Sequence, residues 1–344
     1  MGNNQKDVLF GKTLSQLEAI VKELGMQKYT AKQIASWLYR HHVESIEQMN
    51  NLSKANRDKL SALFDIGISN PVRIQTSVDG TKKYLFRSLN GSFIEAAYIP
   101  DNHRSTLCIS SQAGCRFGCM FCMTGKQGFQ GQLSAGDILN QVRSIPEREQ
   151  ISNIVYMGMG EPFDNPEPVM QSIELLTSDY GYGMSPRRIT VSTIGIIPAM
   201  EVFLEQSSCH LAVSLHSPFE EERKRIMPVE NAHSLAEVLN TIKSFSIDRQ
   251  RRISFEYIVF KDLNHSERHV KALAKILNGI RCRINLLRYH PVPGIEFESP
   301  SDEVMERFKE ALEGKGIITT IRRSRGQDIS AACGLLSTKE YRST

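Results

Sequence analysis

From residue 104 onward the chain alternates short β-type runs with stretches whose apolar residues recur at helical spacing. The β-type runs fall at 106–110, 153–157, 188–193, 210–216, 253–260 and 284–289, and helical patterns at 135–142, 167–176, 198–205, 235–245 and 267–277 separate them. Strands joined by helices are too far apart in sequence for hairpins, so they pair in parallel with the helices packed outside. Each step takes roughly 35 residues, and six steps fall short of the eight that close a barrel. The expected fold class is therefore α/β: a partial (βα)6, TIM-like barrel, open on one side and wide enough for a large substrate. A helix at 302–312 and a strand at 317–321 end the pattern before a cysteine-containing tail. In such barrels the functional residues lie where strands end.

Upstream, residues 1–72 read as a small helical accessory domain. Leu14, Leu17, Ile20, Val21 and Leu24 share one helical face, and Thr30 reads as the N-cap of a helix carrying Ile34, Trp37 and Leu38. Short helical stretches follow at 46–49 and 54–64. The lone Trp37 reads as a core anchor. Residues 73–100 switch to alternation around Asn90-Gly91, a hairpin signal. Glu95 lies on the returning strand, where an isolated carboxylate ordinarily faces solvent, yet it comes shortly before a cysteine-rich loop. Residues 101–344 make the main domain and its C-terminal tail.

Composition sets outer limits. Lys and Arg number 42 against 38 Asp and Glu, a net +4, which allows basic patches for nucleic acid without requiring them. No apolar run of about 18 residues occurs, so no membrane span is expected. The first residues lack a signal peptide's apolar centre, and Met-Gly is not followed by the Ser or Thr of a myristoylation signal. Seven cysteines, an odd number with three in a metal-type cluster, point to a reducing, cytoplasmic setting.

The loop after the first parallel strand reads CISSQAGCRFGCMFC, residues 108–122. Cys115, Cys119 and Cys122 are spaced C-x3-C-x2-C, with Phe121 just before the third. Three thiolates on one loop can bind three irons of a [4Fe–4S] cube and leave the fourth open to substrate. A zinc site would want a fourth nearby Cys or His, so a zinc-bearing, non-catalytic RNA-binding protein is the alternative from another class. Cys108 stands outside the triplet. The second strand ends in MGMGEP, where Gly158 and Gly160 permit close backbone approach and Glu161 can hold an ammonium or hydroxyl group. The third ends at Ser192-Thr193 and the fourth at Ser214-Leu215-His216, polar rims suited to ribose and carboxylate contacts. Arg322, Arg323 and Arg325 precede Cys333, whose Gly and Ala neighbours leave it sterically open. Cys209 and Cys282 sit beside apolar strands and read as structural.

The C-x3-C-x2-C loop resembles that of the radical S-adenosylmethionine enzymes. Together with MGMGEP, PRRITVSTIGIIP, SLHSP and DISAACG in that order, the chain resembles the RlmN/Cfr family of radical S-adenosylmethionine RNA methyltransferases over essentially its whole length. The resemblance implies methylation of an unactivated aromatic carbon of adenosine, with two S-adenosylmethionines used per turnover. It implies that Cys333 takes a methyl group from the first. The second, on the cluster of Cys115, Cys119 and Cys122, is cleaved by one electron to a radical that activates that methyl group. The methylene then adds to the base, Glu95 accepts a proton, and Cys108 attacks the Cys333 sulfur to free the product through a transient disulfide. Gly160, Glu161, Ser192, Ser214, Leu215 and His216 match the positions that hold S-adenosylmethionine. His290 stands where the family usually has Asn, and an imidazole cannot make an amide's simultaneous pair of hydrogen bonds.

One branch of the family methylates carbon 2 and the other, resistance-conferring branch carbon 8. Pro162 in MGMGEP resembles the carbon-2 branch, which commonly acts on both 23S rRNA and the anticodon-adjacent adenosine of tRNA; carbon-8 methylation of 23S rRNA is the alternative. The implied partners are those RNAs and an external one-electron donor of the flavodoxin type, with the chain a monomer. The helical domain and the arginines before Cys333 are the candidates for RNA contact, because a base inside folded RNA must be extruded to react.

Overall fold

The structure is a computed structural model that describes residues 6–102, 104–246, 251–291 and 294–329. Its first part holds β1 (Asp7–Val8), α1 (Leu14–Glu23), α2 (Thr30–Tyr39), α3 (Lys54–Leu63) and β2 (Phe64–Asp65), with β1 and β2 paired in parallel. Thr13 and Gln16 form a capping box that starts α1, and its Leu17 and Val21 are buried as the helical spacing requires. Thr30 is not the cap of α2. Tyr29 already has helical dihedrals, so the chain enters the helix a residue early and buries Thr30 instead. Trp37 packs against the core, stacks on His41 and donates its indole N–H to Asn51 Oδ1 at 2.5 Å.

Next come β3 (Arg73–Thr76), β4 (Lys82–Arg87) and β5 (Phe93–Asp101), antiparallel, with Gly91 at φ +85° in the turn between β4 and β5. β5 pairs antiparallel with β6 (Arg104–Cys108) and so joins the main sheet. The cysteine segment carries β7 (Gln112–Gly114), α4 (Met123–Gln127) and β8 (Phe129–Gln132). The repeat then runs α5 (Ala135–Arg143), β9 (Asn153–Tyr156), α6 (Pro166–Thr177), β10 (Ile189–Thr193), α7 (Ile197–Gln206), β11 (His210–Ser214) and α8 (Glu220–Ile226). It ends with α9 (Leu235–Ser244), β12 (Ile253–Val259), α10 (Glu267–Ile276), β13 (Cys282–Arg288), α11 (Asp302–Glu313) and β14 (Ile318–Ile321).

Ten strands make one sheet in the order β14-β13-β12-β11-β10-β9-β6-β5-β4-β3. The βα part is parallel throughout, as strand–helix alternation dictates, and the strands from β5 to β3 extend it antiparallel. Among the described residues no pairing joins β3 to β14, so the barrel is open. Alternation gives the sheet two faces. One buries Tyr84, Phe86, Ile94, Leu107, Ile154, Val191, Val213 and Phe255 in the same core as residues from the surrounding helices, such as Leu139, Leu176, Phe203, Val238 and Leu273. The other face, on the concave side, carries Cys108, Ser192, Ser214, Glu256 and Asn285. No helix of the described residues is long and apolar enough to cross a membrane.

Candidate active site

The cysteine loop starts where β6 ends and is held on both sides. Cys115 N–H donates to Gly128 O at 3.1 Å and Met120 N–H to Ile226 O at 3.0 Å, while Cys122 caps the start of α4. The ribbon of β7 and β8, which the sequence pattern did not show, closes the loop's base. Cys119 is buried and Cys115 and Cys122 are half-buried, and none of the three forms a disulfide among the described residues. A second apolar cluster of Cys119, Ile226, Met227, Val229, Phe260 and Tyr289 surrounds them, with Phe117 and Phe121 packed on it. Burial, then proximity to Cys122, pushes the Cys115 thiol up to about 12; burial, then Cys122 and Cys115, raises Cys119 as well.

Glu161 lies beside this loop and is buried, with 3% exposed. Its carboxylate accepts from Phe163 N–H at 3.0 Å, Thr193 Oγ1 at 2.7 Å and Ile194 N–H at 2.9 Å, so it ties the end of β9 to the end of β10. Gly160 has φ +93°, and a Cβ there would stand 2.4 Å from Gln112 Cβ; one at Gly158 would stand 2.6 Å from Ile109 O. The close approach these glycines permit includes that of the chain's own cysteine loop, at Ile109 and Gln112. Burial foremost pushes Glu161 up to about 7 against the pull of its three donors. A carboxyl raised on folding contributes stability below its unfolded value and loses it as pH rises through the folded one. The cofactor-free protein is therefore expected to lose about 3 kcal/mol at this site between pH 4.5 and 7. Glu161→Gln removes that slope in pH-dependent thermal unfolding. Its amide faces Ile194 N–H and lowers overall stability, so the slope, not the midpoint, is the readout.

The rim beyond β10 and β11 is organised by a residue that sequence reasoning passed over. Arg223 of α8 is completely buried and forms an ion pair with Glu230. It also donates to the carbonyls of Ile194 at 2.9 Å, Ser214 at 3.1 Å and Leu215 at 3.3 Å. One guanidinium thus fixes the ends of two strands, a task its five donors suit. In the run EEERKRI nothing in the sequence sets Arg223 apart from its charged neighbours. Ser192 and Ser214 are half-buried on the concave face, while Leu215 is fully buried. His216 follows in the left-handed region at φ 56°, unusual for a residue with a Cβ. Asn264 Nδ2 holds its carbonyl at 2.7 Å, and its Nδ1 accepts from Ile258 N–H at 3.0 Å. Burial, then Arg223, pushes the imidazole down to about 3, so it is neutral with the proton on Nε2. The ring stands edge-on to Phe121 at 4.8 Å, which links this rim to the cysteine loop.

Cys108 is buried at the end of β6, and its register partner is Ala97 of β5. Ala97 in turn faces Lys83 of β4, and Glu95 lies two residues from Ala97 on the same face. Glu95 is not the solvent-facing strand residue that its type suggested: 3% of its side chain is exposed, and Oε2 meets Lys83 Nζ at 2.7 Å. Cys209 lies in the core and Cys282 packs on it, both raised by burial, as structural thiols should be. His290 is half-buried, and burial lowers its pKa. Cys333 and the Cys108–Cys333 disulfide expected from resemblance fall outside the described residues; no disulfide occurs among those described.

Known proteins place this geometry. Residues 109–274 match the radical SAM superfamily model and residues 8–66 the ribosomal RNA large subunit methyltransferase N-terminal domain. A probable dual-specificity RNA methyltransferase RlmN of Phocaeicola vulgatus is 52% identical over 97% of this chain and 95% of its own. The chain belongs to the RlmN family of radical S-adenosylmethionine methyltransferases. A dual-specificity RNA methyltransferase RlmN of Syntrophus aciditrophicus is 41% identical over 95% of both chains. The crystal structure of a radical SAM methyltransferase from Sphaerobacter thermophilus superposes with a TM-score of 0.89 at 37% identity, covering 95% of this chain and 98% of that one.

Membership in a radical SAM family implies a [4Fe–4S] cluster and S-adenosylmethionine, which displaces the zinc alternative. The residues present fit them. Burial in an apolar shell and the neighbouring thiols raise Cys115 and Cys119, and binding iron as thiolates relieves both effects. Among the described residues no three such side chains gather closely enough for a single metal ion. A cube spreads three thiolates over three separate irons, so it asks for a wider arrangement. Within the RlmN family pattern, Cys115, Cys119 and Cys122 are the residues that would hold it.

Proposed function

We propose that this chain methylates carbon 2 of adenosine in 23S rRNA and of the anticodon-adjacent adenosine in tRNA, through a methyl group carried on Cys333. The observation that carries the reading is the position of Cys108: a buried thiol on the concave face, in register with Ala97, two residues along the same face of β5 from Glu95, at the start of the cluster loop. The cluster and S-adenosylmethionine, when bound, supply the radical that activates the methyl carbon. In this reading Cys108 attacks the Cys333 sulfur and releases the methylated base, and Glu95 accepts the base's proton. Gly160, Glu161, Ser192, Ser214, Leu215, His216 and His290 are the proposed contacts of S-adenosylmethionine. Two molecules are used per turnover, one as methyl donor and one as radical source.

Pro162 directly follows Glu161 at the start of a short 3-10 turn, the feature that favours carbon 2. Dual specificity follows the relatives' names. Residues 1–72 form the proposed RNA-binding domain, 73–100 the hairpin region and 101–344 the radical core. Arg322 and Arg323 are exposed next to the tail and suit phosphate contact. The electron donor is proposed to be external and flavodoxin-like, and the chain a cytoplasmic monomer. Protein purified without oxygen is expected to carry about four irons and four sulfides per chain. It should then methylate both a 23S rRNA fragment and a tRNA when given S-adenosylmethionine and a reductant. One zinc per chain and no methyl transfer would refute the reading.

A further inference from the structure

The concave face holds one ion pair sealed from water. Lys83 Nζ stands 2.7 Å from Glu95 Oε2, with 1% and 3% of the two side chains exposed. Such a pair is a poor way to strengthen a sheet, because stripping water from both ions cancels most of their attraction. Its position is informative. Lys83, Ala97 and Cys108 are successive register partners across β4, β5 and β6, so their side chains share one face, and Glu95 is the next same-face residue along β5. In this row Ala97, with its small side chain, lies between Lys83 and Cys108. The backbone under Glu95 is also pinned: Ser110 Oγ donates to Glu95 O at 2.6 Å and accepts from Met159 N–H at 2.8 Å, while Ser110 N–H donates to Gln141 Oε1 at 2.8 Å.

We propose that Lys83 is a positioning residue that holds Glu95 as an aimed carboxylate for the proton transfer of the methylation reaction. This rests on the role given to Glu95 above. In that step the carbon carried by Cys333 has bonded to the target base carbon, and the adduct's unpaired electron has passed to a one-electron acceptor of the iron–sulfur class; the hydrogen–carbon bond of that base carbon then breaks. The bonding electron pair stays with the base and the proton goes to a Glu95 oxygen. Lys83 keeps its three protons throughout and supplies only charge and direction.

The test compares full-length, cluster-loaded wild type with Lys83→Met, Lys83→Arg, Glu95→Gln and the Lys83→Met/Glu95→Gln double variant, with a tRNA transcript as substrate. Three quantities are read: methyl occupancy of Cys333 by mass spectrometry, formation of the covalent protein–RNA adduct, and its release in a single turnover. Lys83→Met is expected to load the methyl group and form adduct as wild type does, but to release product about tenfold more slowly or worse; Glu95→Gln loses about 100-fold. Deuterium at the target base carbon should slow release further in Lys83→Met. Lys83→Arg, which keeps the charge, should recover most of the rate.

The double variant leaves no lone buried charge, so it covers the case in which Lys83→Met does not fold. Its release should be no slower than that of Glu95→Gln alone, because Lys83 acts only through Glu95. Wild-type release in Lys83→Met, a loss confined to methyl loading, or additive losses in the double variant would overturn the inference. If wild type itself formed no methyladenosine, the functional reading and this inference would fall together. If wild type and Cys333→Ala behave as the functional reading requires while the Lys83 variants release normally, only this inference falls.

Discussion

Replacing Cys333 by alanine is expected to abolish RNA methylation, and replacing Cys108 by alanine to stop the reaction at a covalent protein–RNA adduct. The two outcomes differ because the two thiols are assigned different tasks. In the proposed reaction Cys333 carries the carbon that reaches the base, so without it nothing is transferred. Cys108 acts last, and without it the base stays bonded through carbon to the Cys333 sulfur. Cys108 is buried on the concave face, and the chain leading to Cys333 is fastened near the start of β4. There Gly326 N–H donates to Asp79 Oδ2 at 3.0 Å, and Asp328 accepts from Ser77 Oγ and from Val78 N–H. Denaturing gels and mass spectrometry read both results directly. Normal product from Cys333→Ala would remove the methyl-carrier role, and adduct-free turnover by Cys108→Ala would remove the resolving role.

The second large effect is expected from Arg223→Met. Arg223 is fully buried, and its loss leaves the Glu230 carboxylate without its cation and the carbonyls of Ile194, Ser214 and Leu215 without their shared donor. Breaking a buried pair on one side typically costs about 3–5 kcal/mol. Urea unfolding should show that loss as a lower midpoint with an unchanged slope. The released strand ends carry Ser214, Leu215 and His216, so affinity for S-adenosylmethionine should fall about tenfold or more. Leu235 N–H still reaches Glu230 at 3.0 Å, which is not enough to replace a guanidinium. The double variant Arg223→Met/Glu230→Met should recover part of the stability, since no lone charge remains. It should not recover the binding, because the carbonyls still lack their donor. Wild-type affinity in the single variant would refute the clamp.

The sequence made some of this legible and left some hidden, for physical reasons. Periodicity located the parallel strands and the helices of the repeat other than α8 to within about two residues, because burial on one face imposes spacing that composition alone cannot mimic. Cysteine spacing and the strand-end motifs pointed to the site, since thiolates and rim glycines are costly to keep without a use. Three things were hidden. Lys83 and Arg223 are charged residues that only tertiary contacts bury, so their types argued for solvent. The ribbon of β7 and β8 is too short to give an alternation signal. Helix α8 reads EEERKRI, too short and too charged to show apolar spacing.

The most direct test of the central claim is nucleoside mass spectrometry of 23S rRNA and tRNA from cells with and without the gene. The account predicts 2-methyladenosine in both RNAs that disappears when the gene is removed and returns with the wild-type copy, but not with Cys333→Ala. A gene-dependent 8-methyladenosine, or no gene-dependent methyladenosine in either RNA, would contradict it.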